Sequence, residues 1–169
     1  SLETHGYSAD RCTHHSPTWV SDGEIVLNIN AHGLKLVEFG ATDADTKALR
    51  WEVRSNGKIY AFDPEQNKDP ETAYFNGMVL RVKRALQYLK MCKGWNGKDL
   101  YASGGSQGGL QTIWAAACGE GVTRADSSIT WCCDMVMNDV RNAYKAASGG
   151  WYIPFTKGIA YYDAVVWAK

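Results

Sequence analysis

The sequence predicts an α/β fold with a mostly parallel sheet, and three observations favour this fold class. Segments with β-branched residues alternate along the chain with segments of helical periodicity, as βαβ units require. The largely apolar run 128–134 is of the kind found in strands buried inside parallel sheets. A glycine-rich turn, Ser103–Gly109, stands between a predicted strand and a predicted helix. The predicted strands are few for a sheet that helices cover on both faces.

Length and charge limit the class of protein. The 169 residues make one domain, long enough to bury a hydrophobic core. The 18 basic and 18 acidic residues balance, so no net field attracts nucleic acid or an anionic membrane, and neither partner is expected. The sequence has no apolar run as long as a membrane span and no leader at its start, although a leader could have preceded Ser1. Localisation therefore stays open.

The numbers of cysteines and aromatic residues are explained by ordinary structural roles. The five cysteines are odd in number and match no zinc motif, so we expect buried free thiols, no metal and no cofactor. They are Cys12, Cys92, Cys118, Cys132 and Cys133. The seven Trp and nine Tyr suit a hydrophobic core, with a sugar-binding cleft as the alternative.

The first half of the chain contains two predicted strands and one short predicted helix. Residues 2–4 are read as the end of an early strand that leads into His5-Gly6. Residues 24–30 are rich in β-branched residues and alternate near their end, which predicts a second strand. Residues 41–54 are read as a short helix, and the polar, turn-rich residues 55–73 as a surface loop.

The second half alternates helices and strands. Apolar residues recur at helical spacing from Tyr74 to Met91, with basic residues between them, so we predict an amphipathic helix that the turn 94–97 ends. Strands are predicted over 98–103 and 128–134, and helices over 110–117, 140–147 and 159–168.

The turn between the predicted strand and helix carries the chemistry. Gly104, Ser106 and Gly108 satisfy G-x-S-x-G, the nucleophile elbow of α/β-hydrolases. The serine of such a turn has a strained backbone, and the glycines on either side leave room for neighbouring elements. The following helix points its N–H groups and its positive dipole end at the serine, where an oxyanion would develop. Ser106 is therefore the predicted nucleophile.

Two other readings of this turn remain open. A glycine-rich turn can connect a strand to a helix without any chemistry, or it can bind a phosphate. The spacing matches neither the dinucleotide fingerprint G-x-G-x-x-G nor a Walker A loop with its lysine. The position between a strand and an Ala-rich helix favours the elbow.

With Gly104–Gly109 in view, the sequence resembles the acetyl xylan esterase and cephalosporin C deacetylase family. The resemblance runs through most of the chain at low identity, and 103–109 is its most specific part. It implies an α/β-hydrolase, a three-layer sandwich, that removes acetyl groups from xylan, xylo-oligosaccharides and related small esters. It also implies an oxyanion hole formed by the backbone N–H groups of Tyr7 and Gln107. The family usually has Arg-Gly-Gln where this chain has His32-Gly33-Leu34, a departure next to the site.

The base that would activate Ser106 is not evident. α/β-Hydrolases place an acid and then a histidine after the serine, whereas the four histidines of this chain all precede it. We therefore expect residues 1–169 to be a partial α/β-hydrolase domain, truncated at both ends, with acid and base beyond residue 169. His5 and His32 are the candidate substitute bases, because both are read as ending strands on the elbow side of the sheet.

Two aspartates could be taken for the missing acid. They are Asp134 and Asp163, and each is expected to end a strand or to cap a helix instead.

The leading functional hypothesis is a serine ester hydrolase whose substrate is an acetylated carbohydrate or another small ester, acting through an acyl-Ser106 intermediate. One alternative is a catalytically incomplete hydrolase fragment that binds carbohydrate in an aromatic-lined cleft. Another is a peptidase or lipase of the same fold. Unpaired sheet edges are expected, so the chain is predicted to form a homo-oligomer or to associate with a segment that completes the sheet.

Overall fold

The structure is a computed structural model that describes residues 1–6, 23–33, 54–55, 58–59, 61, 63–134 and 153–168. The strands are β1 (Leu2–Thr4), β2 (Leu27–Ile29), β3 (Arg54–Ser55), β4 (Lys58–Ile59), β5 (Tyr101–Gly105) and β6 (Arg124–Ser128). The helices are α1 (Tyr74–Met91), α2 (Gln107–Cys118), α3 (Lys157–Tyr161) and α4 (Ala164–Trp167). Parallel strands and helices together confirm the α/β class.

Four strands form a parallel sheet in the order β2-β1-β5-β6. Leu2 pairs with Leu27 on one side and with Ala102 on the other, so β1 lies between β2 and β5. The chain passes from β1 to β2 on one side, and β5 then forms on the opposite side of β1. This reversal makes the carboxyl ends of β1 and β5 a topological switch point, the position where open α/β sheets bind ligands.

The amphipathic helix predicted over Tyr74–Met91 is confirmed with the same bounds. Its predicted apolar positions are all buried, and they are Met78, Val79, Val82, Leu86 and Leu89. Asn67 accepts a hydrogen bond from the backbone N–H of Tyr74 at 2.8 Å through its side-chain oxygen, which satisfies a donor at the first turn. Leu2 and Ala102 pack with Val82 and Ala115, so α1 and α2 cover the same face of the sheet.

Strand β5 begins three residues later than predicted and extends to Gly105. The side-chain oxygen of Asn96 accepts hydrogen bonds from the N–H groups of Lys98 and Asp99, both at 2.9 Å. These bonds hold the start of the predicted strand in a turn. Pairing of β5 with β6 continues through Gly105, which carries the strand directly to Ser106.

The strand predicted over 128–134 is wrong in position, because β6 runs from Arg124 to Ser128 and is exposed along its length. Three residues of the apolar run have a positive φ, Ile129 at 42°, Cys132 at 60° and Asp134 at 56°, which no extended strand allows. Cys132 is buried in the core beyond the end of the strand. Only Cys132 of this segment is buried, through core packing and not through sheet pairing, and Ile129 is exposed.

Three other predictions need adjustment. The helix predicted over 159–168 is two short helices, α3 and α4, separated at Tyr162-Asp163. The loop predicted over 55–73 includes part of an antiparallel hairpin, β3–β4. The predicted helix 140–147 lies outside the described residues, as does 41–54 except for Arg54, which is in β3.

Two further findings concern the residues that the structure describes. Their four cysteines, Cys92, Cys118, Cys132 and Cys133, are free thiols as predicted, but the predicted burial is right only for Cys132; Cys12 lies outside the described ranges. None of their helices is both long enough and apolar enough to cross a bilayer.

Candidate active site

Ser106 lies at the apex of the turn between β5 and α2, where a nucleophile elbow places its serine. Its backbone has φ 57° and ψ −119°, the combination of the first central residue of a type II′ turn, which glycine usually occupies. Holding an L-residue in such a region costs about 1–3 kcal/mol, so the surroundings must enforce it. The side chain is half-buried at the carboxyl edge of the sheet.

Two backbone hydrogen bonds from the neighbouring strand segment hold Ser106 in this conformation. The Ser106 N–H donates to the carbonyl oxygen of Ser128 at 3.0 Å, and the Ser106 carbonyl oxygen accepts from the Trp131 N–H at 3.1 Å. The same carbonyl also accepts from the Leu110 N–H at 3.3 Å in the first turn of α2. The apolar segment after β6 therefore contributes to the site by supporting the elbow.

The elbow glycines are required by close contact with the end of β1. A Cβ on Gly104 would overlap Thr4 Oγ1 and lie 2.7 Å from the carbonyl carbon of Gly108. A Cβ on Gly108 would collide with the Thr4 carbonyl oxygen and lie 3.0 Å from the carbonyl carbon of His5. Real Cβ atoms do not approach other atoms so closely, so both positions need glycine.

Thr4, which the sequence pattern did not identify, ties β1 to α2. Its Oγ1 is 2.7 Å from the carbonyl oxygen of Gly108 and 3.2 Å from Thr112 Oγ1. Thr4 and Gly108 are 104 positions apart in the sequence, so no local pattern could have revealed the pair.

The predicted oxyanion segment lies beside Ser106 as far as the structure describes it. A Cβ on Gly6 would be 3.9 Å from Ser106 Cβ, which places the backbone of Gly6 against the elbow. Gln107 is the first residue of α2, and its side chain is fully buried. Tyr7, the other predicted donor, lies outside the described residues.

The two candidate bases lie together at the carboxyl ends of β1 and β2. The His5 and His32 ring centroids are 5.9 Å apart, and both side chains are buried. His32 Nδ1 is 2.8 Å from the Tyr74 hydroxyl, and His5 Nδ1 is 2.6 Å from the Gly6 carbonyl oxygen. Within the described part of the chain, Ser106 Oγ makes no hydrogen bond to either imidazole.

Arg81 of α1 supports the turn that carries His32. Its Nη1 donates to the Ala31 carbonyl oxygen at 3.1 Å, and its guanidinium occupies the space that a Cβ on Gly33 would need. Burial lowers the pKa of Arg81 from its ordinary value, an effect that the nearby Tyr74 opposes. Arg81 thus brings a positive charge from α1 to the turn at residues 31–33.

Of the two aspartates expected to end a strand or cap a helix, Asp163 caps a helix, whereas Asp134 does not end a strand, because β6 ends at Ser128. Asp163 Oδ1 accepts hydrogen bonds from the Val165 N–H at 3.0 Å, as the N-cap of α4, and from the Asp134 N–H at 2.8 Å. Asp163 is almost fully buried. Its two hydrogen bonds join the segment after β6 to the start of α4.

No group of three or more His, Cys, Asp or Glu side chains that could hold a metal ion occurs within the described ranges. Comparison of the chain with models of protein families, with curated proteins and with solved structures finds no match.

Proposed function

We propose that this chain carries the nucleophile part of a serine ester hydrolase with an α/β-hydrolase fold. The observation that carries the proposal is the backbone of Ser106, held at φ 57° and ψ −119° between a central parallel strand and a helix. A linking turn without chemistry has no need of a serine in this costly conformation, since glycine adopts it readily. The position of Ser106 at the switch point of the sheet also supports a ligand-binding role.

The proposed reaction proceeds through an acyl-serine. Ser106 Oγ attacks the ester carbonyl carbon while a base takes its proton, and the carbonyl oxygen becomes an oxyanion near the start of α2. The backbone N–H groups of Gln107 and Tyr7 stabilise that oxyanion. Collapse of the tetrahedral intermediate expels the alcohol, which takes a proton from the protonated base, and water then releases the acid by the same route.

His5 and His32 are the proposed bases within this chain. Both stand at carboxyl ends of neighbouring strands of the sheet, on the same edge as Ser106. The Tyr74 hydroxyl beside His32 Nδ1 would orient that ring and fix its tautomer. A histidine from a completing segment or from a second copy of the chain is the alternative source of the base.

The proposed substrate is an acetylated carbohydrate, such as xylan, or a related small ester. This assignment rests on the resemblance of residues 103–109 to the acetyl xylan esterase family. A peptidase or lipase of the same fold would use the same elbow, so the substrate needs a direct comparison.

A fluorophosphonate probe and p-nitrophenyl acetate test the proposal together. We expect the probe to label Ser106 and hydrolysis to fall to background in Ser106→Ala, while Ser103→Ala, inside β5 and before the turn, keeps its activity. Acetylated xylo-oligosaccharide should be cleaved faster than a long-chain ester or a peptide. Equal turnover in wild type and Ser106→Ala, without labelling, would reject the enzyme and leave carbohydrate binding by an incomplete hydrolase as the alternative.

A further inference from the structure

Gln111 is a buried amide on α2, five residues after Ser106, and its side chain is fully inaccessible. Its Nε2 donates to the carbonyl oxygen of His5 at 3.3 Å. Its Oε1 is buried and has no hydrogen-bond partner within the described part of the chain. A buried amide oxygen without a partner costs about 1–3 kcal/mol, so an apolar side chain of similar size would be less costly here.

The hydrogen bond from Gln111 holds the backbone at His5, next to the residue that faces Ser106. The His5 carbonyl belongs to the peptide between His5 and Gly6, and Gly6 lies against Ser106. The preceding residue, Thr4, is held to Gly108 by its hydroxyl. Two consecutive residues of the β1 end are therefore tied to α2, the first through its side chain and the second through its backbone.

The hydrogen bonds of Thr4 and of Gln111 have different consequences. Thr4 lies in the last position of β1, where pairing with β2 and β5 already fixes the backbone. His5 follows the last ladder pair, so the orientation of its peptide group depends on contacts outside the sheet. Gln111 supplies such a contact from the helix that begins immediately after Ser106. It thereby fixes the His5–Gly6 peptide relative to the nucleophile.

We propose that Gln111 is a positioning residue that holds the His5–Gly6 peptide, and with it the proposed oxyanion segment, at its working distance from Ser106. This role rests on the proposed function, because it concerns the geometry of that oxyanion site. An oxyanion hole requires donors placed within a few tenths of an ångström of the developing charge. A loosened peptide should therefore reduce transition-state stabilisation more than substrate binding.

Gln111→Met tests this role, because methionine keeps the length of the side chain and removes the donor. We expect kcat for p-nitrophenyl acetate to fall about tenfold or more, with KM changed less than about threefold. The thermal midpoint should change little, because the removal of the unpartnered Gln111 Oε1 offsets the loss of the donor to the His5 carbonyl oxygen. Leu86→Met is the control: it places methionine at a buried position of α1, away from the elbow, and should leave kcat within about twofold.

Hydrogen exchange of the backbone amides gives a readout that does not depend on activity. In Gln111→Met the N–H of Gly6 should exchange about tenfold faster or more, while the amides of β5 keep their rates. If the wild type shows no Ser106-dependent hydrolysis, the proposed function fails and exchange at Gly6 alone decides the positioning role.

Two results would overturn the inference. One is an unchanged Gly6 exchange rate in Gln111→Met. The other is faster exchange throughout β1, β5 and α2 together with a lower thermal midpoint, which would indicate a residue needed only for stability. If Gln111→Met does not fold, Gln111→Leu, which also lacks the donor, is measured by the same criteria.

Discussion

Thr4 Oγ1, at the end of β1, hydrogen-bonds to the carbonyl oxygen of Gly108 in the first turn of α2 at 2.7 Å. This contact is short because neither Gly104 nor Gly108 has a side chain between the strand and the helix. Close approach of β1 to the elbow brings the backbone of Gly6 next to Ser106. The glycines of the turn are therefore required by packing, independently of the G-x-S-x-G pattern that predicts a nucleophile.

The first prediction compares two adjacent glycines of β5. A Cβ at Gly104 would overlap Thr4 Oγ1, whereas a Cβ at Gly105 would meet most closely the Ser128 hydroxyl, at 3.3 Å, a group that can rotate away. We expect Gly104→Ala to lower the free energy of unfolding by about 2 kcal/mol or more, and Gly105→Ala to change it by less than about 1 kcal/mol. Urea denaturation measures both, and equal losses would contradict the packing argument.

The second prediction concerns the strained backbone of Ser106. Ser106→Gly removes the Cβ that makes the conformation costly, whereas Ser106→Ala retains it. The relief of about 1–3 kcal/mol exceeds the backbone entropy cost of glycine, about 0.5–1 kcal/mol, so the glycine variant should be the more stable by about 1 kcal/mol. At Ser103, inside β5, the order should reverse, with alanine more stable than glycine. Chemical denaturation of the four variants measures this order. If alanine were more stable than glycine at both positions, Ser106 would not be strained.

The third prediction separates a helix cap from a catalytic acid at Asp163. An asparagine at this position would keep a side-chain oxygen for the Val165 and Asp134 N–H groups. Asp163→Asn should therefore cost less than about 1 kcal/mol of unfolding free energy, while Asp163→Ala should cost about 1–3 kcal/mol. Ser106-dependent hydrolysis should persist in Asp163→Asn. A loss of about 10⁴ in kcat without a loss of stability would instead assign Asp163 to the triad.

The fourth prediction concerns pH. Burial raises the pKa of Tyr162 to about 12, with smaller contributions from Tyr161 and Glu71. Because the phenol of the unfolded chain ionises near pH 10, the stability that Tyr162 contributes is fully present below pH 10 and is lost as the pH rises towards 12. The difference in unfolding free energy between wild type and Tyr162→Phe should therefore shrink over this range.

The Tyr162 hydroxyl also donates a hydrogen bond to the Pro70 carbonyl oxygen, 2.7 Å long. Tyr162→Phe removes this bond, so the variant should be less stable by about 0.5–1.5 kcal/mol at neutral pH. Tyr88→Phe, on the exposed side of α1, is the control for removing a phenol. A pH-independent difference between wild type and Tyr162→Phe would contradict the raised pKa.

Sequence patterns that span a few residues correctly predicted the elements that depend on local backbone geometry. The helix Tyr74–Met91 was predicted to the residue, because apolar side chains at helical spacing select one face to bury. The strand-to-helix turn at Ser106 was predicted as well, since glycine spacing reports on nearby backbone geometry. The strand predicted over 128–134 was wrong because apolar composition alone specifies neither pairing nor burial: Cys132 packs into the core, Ile129 is exposed, and neither has the backbone of a strand.

The sequence by itself determined the α/β class, the long amphipathic helix and the position of Ser106 in a turn from strand to helix. Only the tertiary structure decided the strand order β2-β1-β5-β6, and with it the switch point between β1 and β5. It also brought Thr4 and His5 against Gly108 and Gln111, 104 and 106 positions away in the sequence. The physical reason is that periodicity and turn residues fix dihedral angles over a few residues. Contacts between distant residues depend on which strands pair and on how closely a helix can approach them.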